Sequence, residues 1–240
     1  MSARSLENKV AIITGGGRGI GAATAEVFIR EGAKVVIASR SEKELKETAQ
    51  KLKSENIFCV PTDVSDEASV KNLFNQTIKK FGKLDILINN AGIFLGSEFS
   101  KLSTEDWDRV IGVNLRGPFL CAREAFLKMS GGGSIVNISS LAGIRGTQKF
   151  PGFTSYVASK FGVVGLTESL AVEGRDRGIR VNCVAPGGVD TKMLKEALPS
   201  LKAEAQPKDI AEIILSLCDE SRSAVLTGTL IEVFTKVTPR

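Results

Sequence analysis

The chain predicts a doubly wound α/β fold: a single domain over residues 1–240, with a seven-stranded parallel sheet in the order 3-2-1-4-5-6-7 and helices on both faces. Three observations predict it. Short β-branched apolar runs alternate with longer amphipathic stretches, as strands and crossover helices must in a parallel sheet. The apolar runs are nearly continuous rather than alternating, which strands covered on both faces require. Glycines stand just beyond several amphipathic stretches, at Gly32, Gly82, Gly131 and Gly178, where helices end. A chain of 240 residues suffices for one large core.

Each element has its own signal. The first strand is 9–14 (KVAIIT), followed by a helix over 19–31. A strand at 34–38 leads to a helix over 42–54, announced by Ser41-Glu42. A strand at 57–60 precedes a helix over 66–81 that begins at Ser65-Asp66. The fourth strand is 84–88; a long helix over 104–129 then opens from Ser103-Thr104-Glu105. Strand 133–139, helix 155–176 and strand 179–185 follow. The stretch 187–207 has weak periodicity and holds Gly187, Gly188, Pro199 and Pro207, so it reads as an irregular or partly helical excursion, a candidate lid. A helix over 208–218 and a strand over 229–234 complete the order.

Composition removes several function classes. The net charge is +5, with both signs interspersed and no basic block, so nucleic acid is not implied. Histidine is absent, which excludes Ser-His and Cys-His catalysis and histidine metal sites; no metal is expected. Cys59, Cys121, Cys183 and Cys218 are widely spaced among apolar neighbours, without a CxxC pair, and read as unpaired thiols in a reducing compartment. No apolar run reaches the ~20 residues of a membrane span, and the N-terminal run MSARSLENKVAIITGG carries no secretory pattern. A soluble, cytoplasmic protein is expected.

Residues 14–21 read TGGGRGIG and join the first strand to the first helix. Gly15, Gly17, Gly19 and Gly21 let the backbone turn sharply and approach a pyrophosphate. Ile20 opens a helix whose free amides and partial positive charge face the anion. This is a Rossmann-type dinucleotide cradle. At the end of the second strand, where a carboxylate would hold a ribose 2′-hydroxyl, the chain has Ser39 and Arg40. Arg18, in the glycine-rich turn, approaches the same place. Two guanidiniums suit a 2′-phosphate, so the expected cofactor is NADP(H) rather than NAD(H).

Tyr156 is the only tyrosine in the chain, and Lys160 follows one helical turn later on the same face. An ammonium there is expected to lower the phenol pKa, making the hydroxyl an acid–base group for a carbonyl oxygen. The strand over 133–139 ends in Ser139 and Ser140, which must face opposite ways. Either hydroxyl, at the ligand-binding edge of a parallel sheet, can stabilise charge on a substrate oxygen.

These motifs, in this order, resemble the short-chain dehydrogenase/reductase family over nearly the whole chain: TGGGRGIG, Asp63 after the third strand, NNAG at 89–92, Asn114, Ser140, Tyr156-x-x-x-Lys160 and Pro186-Gly187. The branch it looks most similar to contains 3-oxoacyl-[acyl-carrier-protein] reductases. The resemblance implies hydride transfer between nicotinamide and a carbonyl or secondary alcohol. It implies that Asp63 and Val64 touch the adenine, and that Asn90, Ala91 and Gly92 line the cofactor cleft. It places Pro186, Gly187, Val189 and Thr191 at the nicotinamide end. It chooses Ser140 over Ser139, gives Lys160 the nicotinamide ribose, and gives Asn114 a water beside Lys160. Homodimers or homotetramers through helices 104–129 and 155–176 are also implied.

The substrate is less defined. Acyl thioesters, steroids, sugars, quinones and simple ketones are the candidates. Phe94, Leu95, Phe150, Phe153, Met193, Leu194 and Leu198 are expected to form an apolar pocket. Arg175, Arg177 and Arg180 are candidates for meeting an acyl carrier protein. Three features depart from the family: a longer Ser140–Tyr156 separation, a short segment after 187, and a C-terminal run Phe234–Arg240 without the usual glycines. The competing function classes are a catalytically silent NADP(H) sensor or scaffold, which would not need an activated phenol, and a dehydratase or epimerase without net cofactor turnover.

Overall fold

A computed structural model describes residues 4–239. Met1–Ala3 and Arg240, parts of the terminal runs read above, lie outside the described residues. The strands are β1 (Val10–Thr14), β2 (Lys34–Ser39), β3 (Ile57–Pro61), β4 (Ile86–Asn89), β5 (Gly133–Ile138), β6 (Ile179–Pro186), β7 (Leu201–Ala203), β8 (Leu230–Val233) and β9 (Val237–Pro239). The main sheet runs β3-β2-β1-β4-β5-β6-β8, and every pairing in it is parallel. That is the expected seven-stranded order, β8 being its seventh strand.

The helices are α1 (Gly19–Arg30), α2 (Glu42–Leu52), α3 (Glu67–Phe81), α4 (Thr104–Ile111), α5 (Gly117–Lys128), α6 (Thr154–Glu173), α7 (Lys192–Ala197), α8 (Pro207–Cys218) and α9 (Glu220–Ser223). Successive strand residues feed opposite cores. Ile13, Ile37, Ile88 and Val136 pack with Phe28 of α1 and Ile214 of α8. Ile12, Val36, Leu87 and Ile135 pack with Phe74 of α3 and Leu120 of α5. This double burial explains the continuous apolar runs, since each fully buried large side chain contributes about 1.5–3 kcal/mol.

Two expectations change. The helix expected unbroken over 104–129 is α4, a π-helical turn at Gly112–Arg116, and α5. Pro118 has no amide to give the Asn114 carbonyl four residues earlier, so the regular ladder cannot pass through, and the Gly117 amide reaches back to Gly112 instead. The excursion at 187–207 is partly helical, as α7, but it also contains β7. That strand pairs antiparallel with β9, matching Leu201 to Pro239 and Ala203 to Val237. The run after β8 thus folds back over the excursion in a second, two-stranded sheet.

Candidate active site

A cleft of about 1110 Å³ crosses the C-terminal ends of the strands, where the sheet order reverses between β1 and β4. The glycine-rich turn forms one end. Gly15 has φ +67°, and a Cβ there would lie 2.8 Å from Asn90 Nδ2 and 2.9 Å from the Ala91 Cα. A Cβ at Gly21 would collide with the Gly15 carbonyl, so Gly21 sits behind the turn rather than on its surface. Thr14 fastens this turn to the NNAG segment: its Oγ1 accepts from the Asn90 amide at 3.0 Å and the Ala91 amide at 3.1 Å. Asn90 Nδ2 donates to the Thr14 carbonyl at 2.9 Å. Thr48 of α2 donates to the Gly17 carbonyl at 2.8 Å. These clips hold a backbone surface open to solvent.

Helix α1 begins beside that surface without a side-chain cap and without an acidic residue in its first turn. By contrast α2, α3 and α4 are capped by Ser41, Asp66 and Ser103. The first amides of α1 are therefore left for an outside acceptor. Bare glycine backbone, an uncapped helix and flanking cations fit a dinucleotide pyrophosphate.

Gly15, Gly17, Arg18, Gly19 and Ile20 line the cleft, as do Ser39 and Arg40. So do Asp63, Val64, Asn90, Ala91 and Gly92. Asp63 accepts from the Ser65 amide at 2.9 Å and its hydroxyl at 2.6 Å. Burial alone would push the Asp63 carboxyl up, but those bonds, with Arg40 and Arg109 nearby, hold it below the usual range. A carboxylate that the sequence reading missed also stands here: Glu44 lines the cleft and pairs with Arg18 at 3.0 Å. Nothing in the sequence around Arg40 signals it, because it arrives in the first turn of α2.

The other end of the cleft holds Ser140, Tyr156, Lys160, Pro186, Gly187, Val189 and Thr191. Thr191 caps α7 and lies across the opening from Gly19, whose Cβ would be 3.5 Å from its Cγ2. Ser139 and Ser140 divide as the strand requires. Ser139 is buried and donates to the Lys160 carbonyl at 2.8 Å, whereas Ser140 accepts from the Ala142 amide and shares a hydrogen bond with the Tyr156 phenol.

Lys160, only 5% exposed, donates to the Ile138 carbonyl at 2.8 Å, with its Nζ 5.6 Å from the Tyr156 ring centroid. Burial pushes the Lys160 ammonium down to about 8. The Tyr156 phenol is raised, not lowered as expected: burial pushes it up, and the bond with Ser140 only partly opposes this. Desolvation therefore dominates the phenol. A protonated phenol suits donation to a carbonyl oxygen.

Asn114 does not line the cleft. It is fully buried, accepts from the Ile93 amide at 2.8 Å, and donates to the Ile93 carbonyl at 2.9 Å and to Ser159 at 3.1 Å. Its side chain thus ties the segment after β4 to α6. A Cβ on Gly92 would lie 3.5 Å from Asn114 Oδ1 and 3.7 Å from Lys160 Nζ, so both residues flank Gly92.

Of the expected apolar pocket, Phe94, Phe150, Phe153, Met193, Leu194 and Leu198 line the cleft. Leu95 instead lines a second groove, which shares Phe94, Phe150 and Phe153 with the cleft. Phe234 and Val237, from the C-terminal run, join the wall and were not anticipated. Arg180 turns inward and donates to the Leu217 carbonyl, whereas Arg177 stays exposed and donates to the Phe126 carbonyl.

Residues 9–202 match the family model for short chain dehydrogenases. The chain belongs to that family and is one of its oxidoreductases. It is 39% identical to an uncharacterized oxidoreductase of Thermotoga maritima, with 93% of each chain covered. It is 37% identical to the 3-oxoacyl-[acyl-carrier-protein] reductase of the same organism, over 94% of this chain and 96% of that one. It is also 38% identical to a (2S)-[(R)-hydroxy(phenyl)methyl]succinyl-CoA dehydrogenase subunit of Thauera aromatica, over 95% and 96%. The family uses nicotinamide cofactors.

Proposed function

We propose that this chain is an NADP(H)-dependent carbonyl reductase and secondary-alcohol dehydrogenase with Tyr156 as its proton donor. The observation that carries the proposal is one cleft with the glycine cradle at one end and Tyr156, Ser140 and Lys160 at the other. The nicotinamide, when bound, supplies the hydride in reduction and takes it up in oxidation. Ser140 holds the substrate oxygen and Tyr156 gives it a proton. Lys160 holds the nicotinamide ribose, and Asn114 positions Gly92 and α6 around it. Asp63 and Val64 hold the adenine.

Arg18 and Arg40 support NADP(H) over NAD(H), because guanidiniums favour a 2′-phosphate. Comparing kcat/KM with NADPH and NADH tests this; a preference for NADH contradicts it. A carbonyl panel followed by NADPH oxidation separates a reductase from a silent sensor, which would leave NADPH untouched. A 3-oxoacyl thioester is the second reading for the substrate, favoured by the Thermotoga reductase. An acyl carrier protein would then be a partner, with Arg177 exposed and Arg180 engaged by the Leu217 carbonyl.

The same proposal includes a soluble cytoplasmic protein. Among the described residues no helix is long and apolar enough to cross a membrane, and the four cysteines are free thiols. It also includes a homodimer or homotetramer: α5 exposes Phe119 and Leu127, and α6 exposes Phe161 and Val172. Light scattering that finds a monomer overturns the assembly.

A further inference from the structure

We infer, resting on the reductase reading above, that the substrate is an apolar ring-bearing ketone or its alcohol, held between an aromatic cage around Tyr156 and a wall made by the C-terminal run. Two phenylalanines pack against the phenol, and a third stacks behind them. The Phe94 and Phe153 rings are 4.4 Å apart, and both meet the Tyr156 ring edge-on, at 5.7 Å and 6.3 Å. Phe150 extends the set, 5.5 Å from Phe153. Phe94 comes from the segment after β4; Phe150 and Phe153 come from the long segment before α6.

The cleft lining also includes Leu194 of α7 with Phe234 and Val237. Phe234 is 72% exposed, a large ring left open at a cleft. The run that carries it is firmly seated. The Gly187 amide donates to the Val233 carbonyl at 2.9 Å, and Thr235 Oγ1 donates to the Gly188 carbonyl at 2.6 Å. Lys236 pairs with Glu204 at 2.9 Å, beside the β7–β9 pairing.

Several polar groups near these rings are spent, while Gln148 and Lys192 also line the cleft. The Thr147 hydroxyl is directed to the Leu141 and Ile144 carbonyls, as Thr235 is to Gly188. Lys149, on the same segment as Phe150, turns its ammonium onto the Ile144 carbonyl at 2.6 Å and onto Thr147. The rings around Tyr156 offer a sugar no hydrogen bond, and Lys149 is already engaged and does not line the cleft. Aromatic rings, in contrast, gain from edge-to-face contact beyond the area they bury. Reduction balances with the cofactor as co-reactant: the carbonyl carbon receives a hydride, the oxygen receives the Tyr156 proton, and one reduced nicotinamide is oxidised.

The test compares kcat/KM, with NADPH saturating, for 2-tetralone, hexan-2-one, acetoacetyl-CoA and fructose. The wild type should prefer 2-tetralone by at least about tenfold. Phe234→Leu and Phe94→Leu, which keep apolar volume but remove a ring, should each reduce that preference about three- to tenfold, mainly through KM for 2-tetralone. Equal or better use of hexan-2-one, acetoacetyl-CoA or fructose overturns this inference while leaving the reductase reading intact. An unchanged preference in both variants also overturns it. Silence toward all four carbonyls overturns the reductase reading, and this inference with it.

Discussion

At the glycine-rich end of the cleft the surface that faces a pyrophosphate is backbone, drawn from neighbouring pieces of chain and fastened by Thr14, Thr48 and Asn90. At the tyrosine end it is side chains, brought from the ends of β4, β5 and β6, from α6 and from the C-terminal run. The first end tolerates almost no added atom, as Gly15 and Gly21 show. The second is an open chamber with exposed rings. The contrast matches their tasks: a constant cofactor favours a fixed cradle, whereas substrate choice is set by whichever segments reach the far wall.

The contrast can be broken most severely at Lys160. Replacing it with Met should lower turnover about 10²- to 10³-fold, a scale set by acid–base assistance. The same variant reports on pH. The folded Lys160 titrates at about 8 against 10.5 for the free group, so between these values the unfolded chain holds more protons, and this group's contribution to stability rises with pH. The variant's stability gain over wild type should be largest below pH 8 and shrink as pH approaches 9.5, below the range where Tyr156 titrates. Denaturant midpoints across that range check it; a gap independent of pH contradicts it.

At the cofactor end, the double change Arg18→Ala and Arg40→Ala should reduce the NADPH-over-NADH preference about 10- to 100-fold, the worth of charge-assisted hydrogen bonds. Calorimetric binding without substrate measures it directly. Gly21→Ala should destabilise the fold by about 1–3 kcal/mol, since the new methyl meets the Gly15 carbonyl. Thermal unfolding should show the loss, and an unchanged midpoint would mean the cradle is looser than described. The smallest effect is expected from Glu44→Gln. Freed from its partly exposed ion pair, Arg18 should bind NADPH up to about fivefold more tightly, with little change for NADH.

How much of this was legible depended on the distance over which each feature is made. Strand order and the cradle rest on local patterns: continuous apolar runs, caps such as Ser41 and Ser103, and glycines at the first turn. They could be read directly. The break at Gly112–Arg116 had a readable cause in Pro118, but the apolar periodicity on either side concealed it. Glu44 was invisible because its role depends on where the first turn of α2 lies against Arg18. The β7–β9 pairing joins segments more than thirty residues apart through three residues each, too short for any alternation to show. The direction of the Tyr156 shift was misread because the spacing to Lys160 shows proximity but not how deeply the phenol is buried.

The central claim, that Tyr156 gives its proton to a carbonyl oxygen, is tested most directly by single-turnover oxidation of pre-bound NADPH in wild type and Tyr156→Phe, with a ketone the wild type reduces. The account predicts equal NADPH affinity and a rate about 10²- to 10⁴-fold lower in the variant. A Tyr156→Phe protein that binds NADPH and oxidises it at close to the wild-type rate contradicts it.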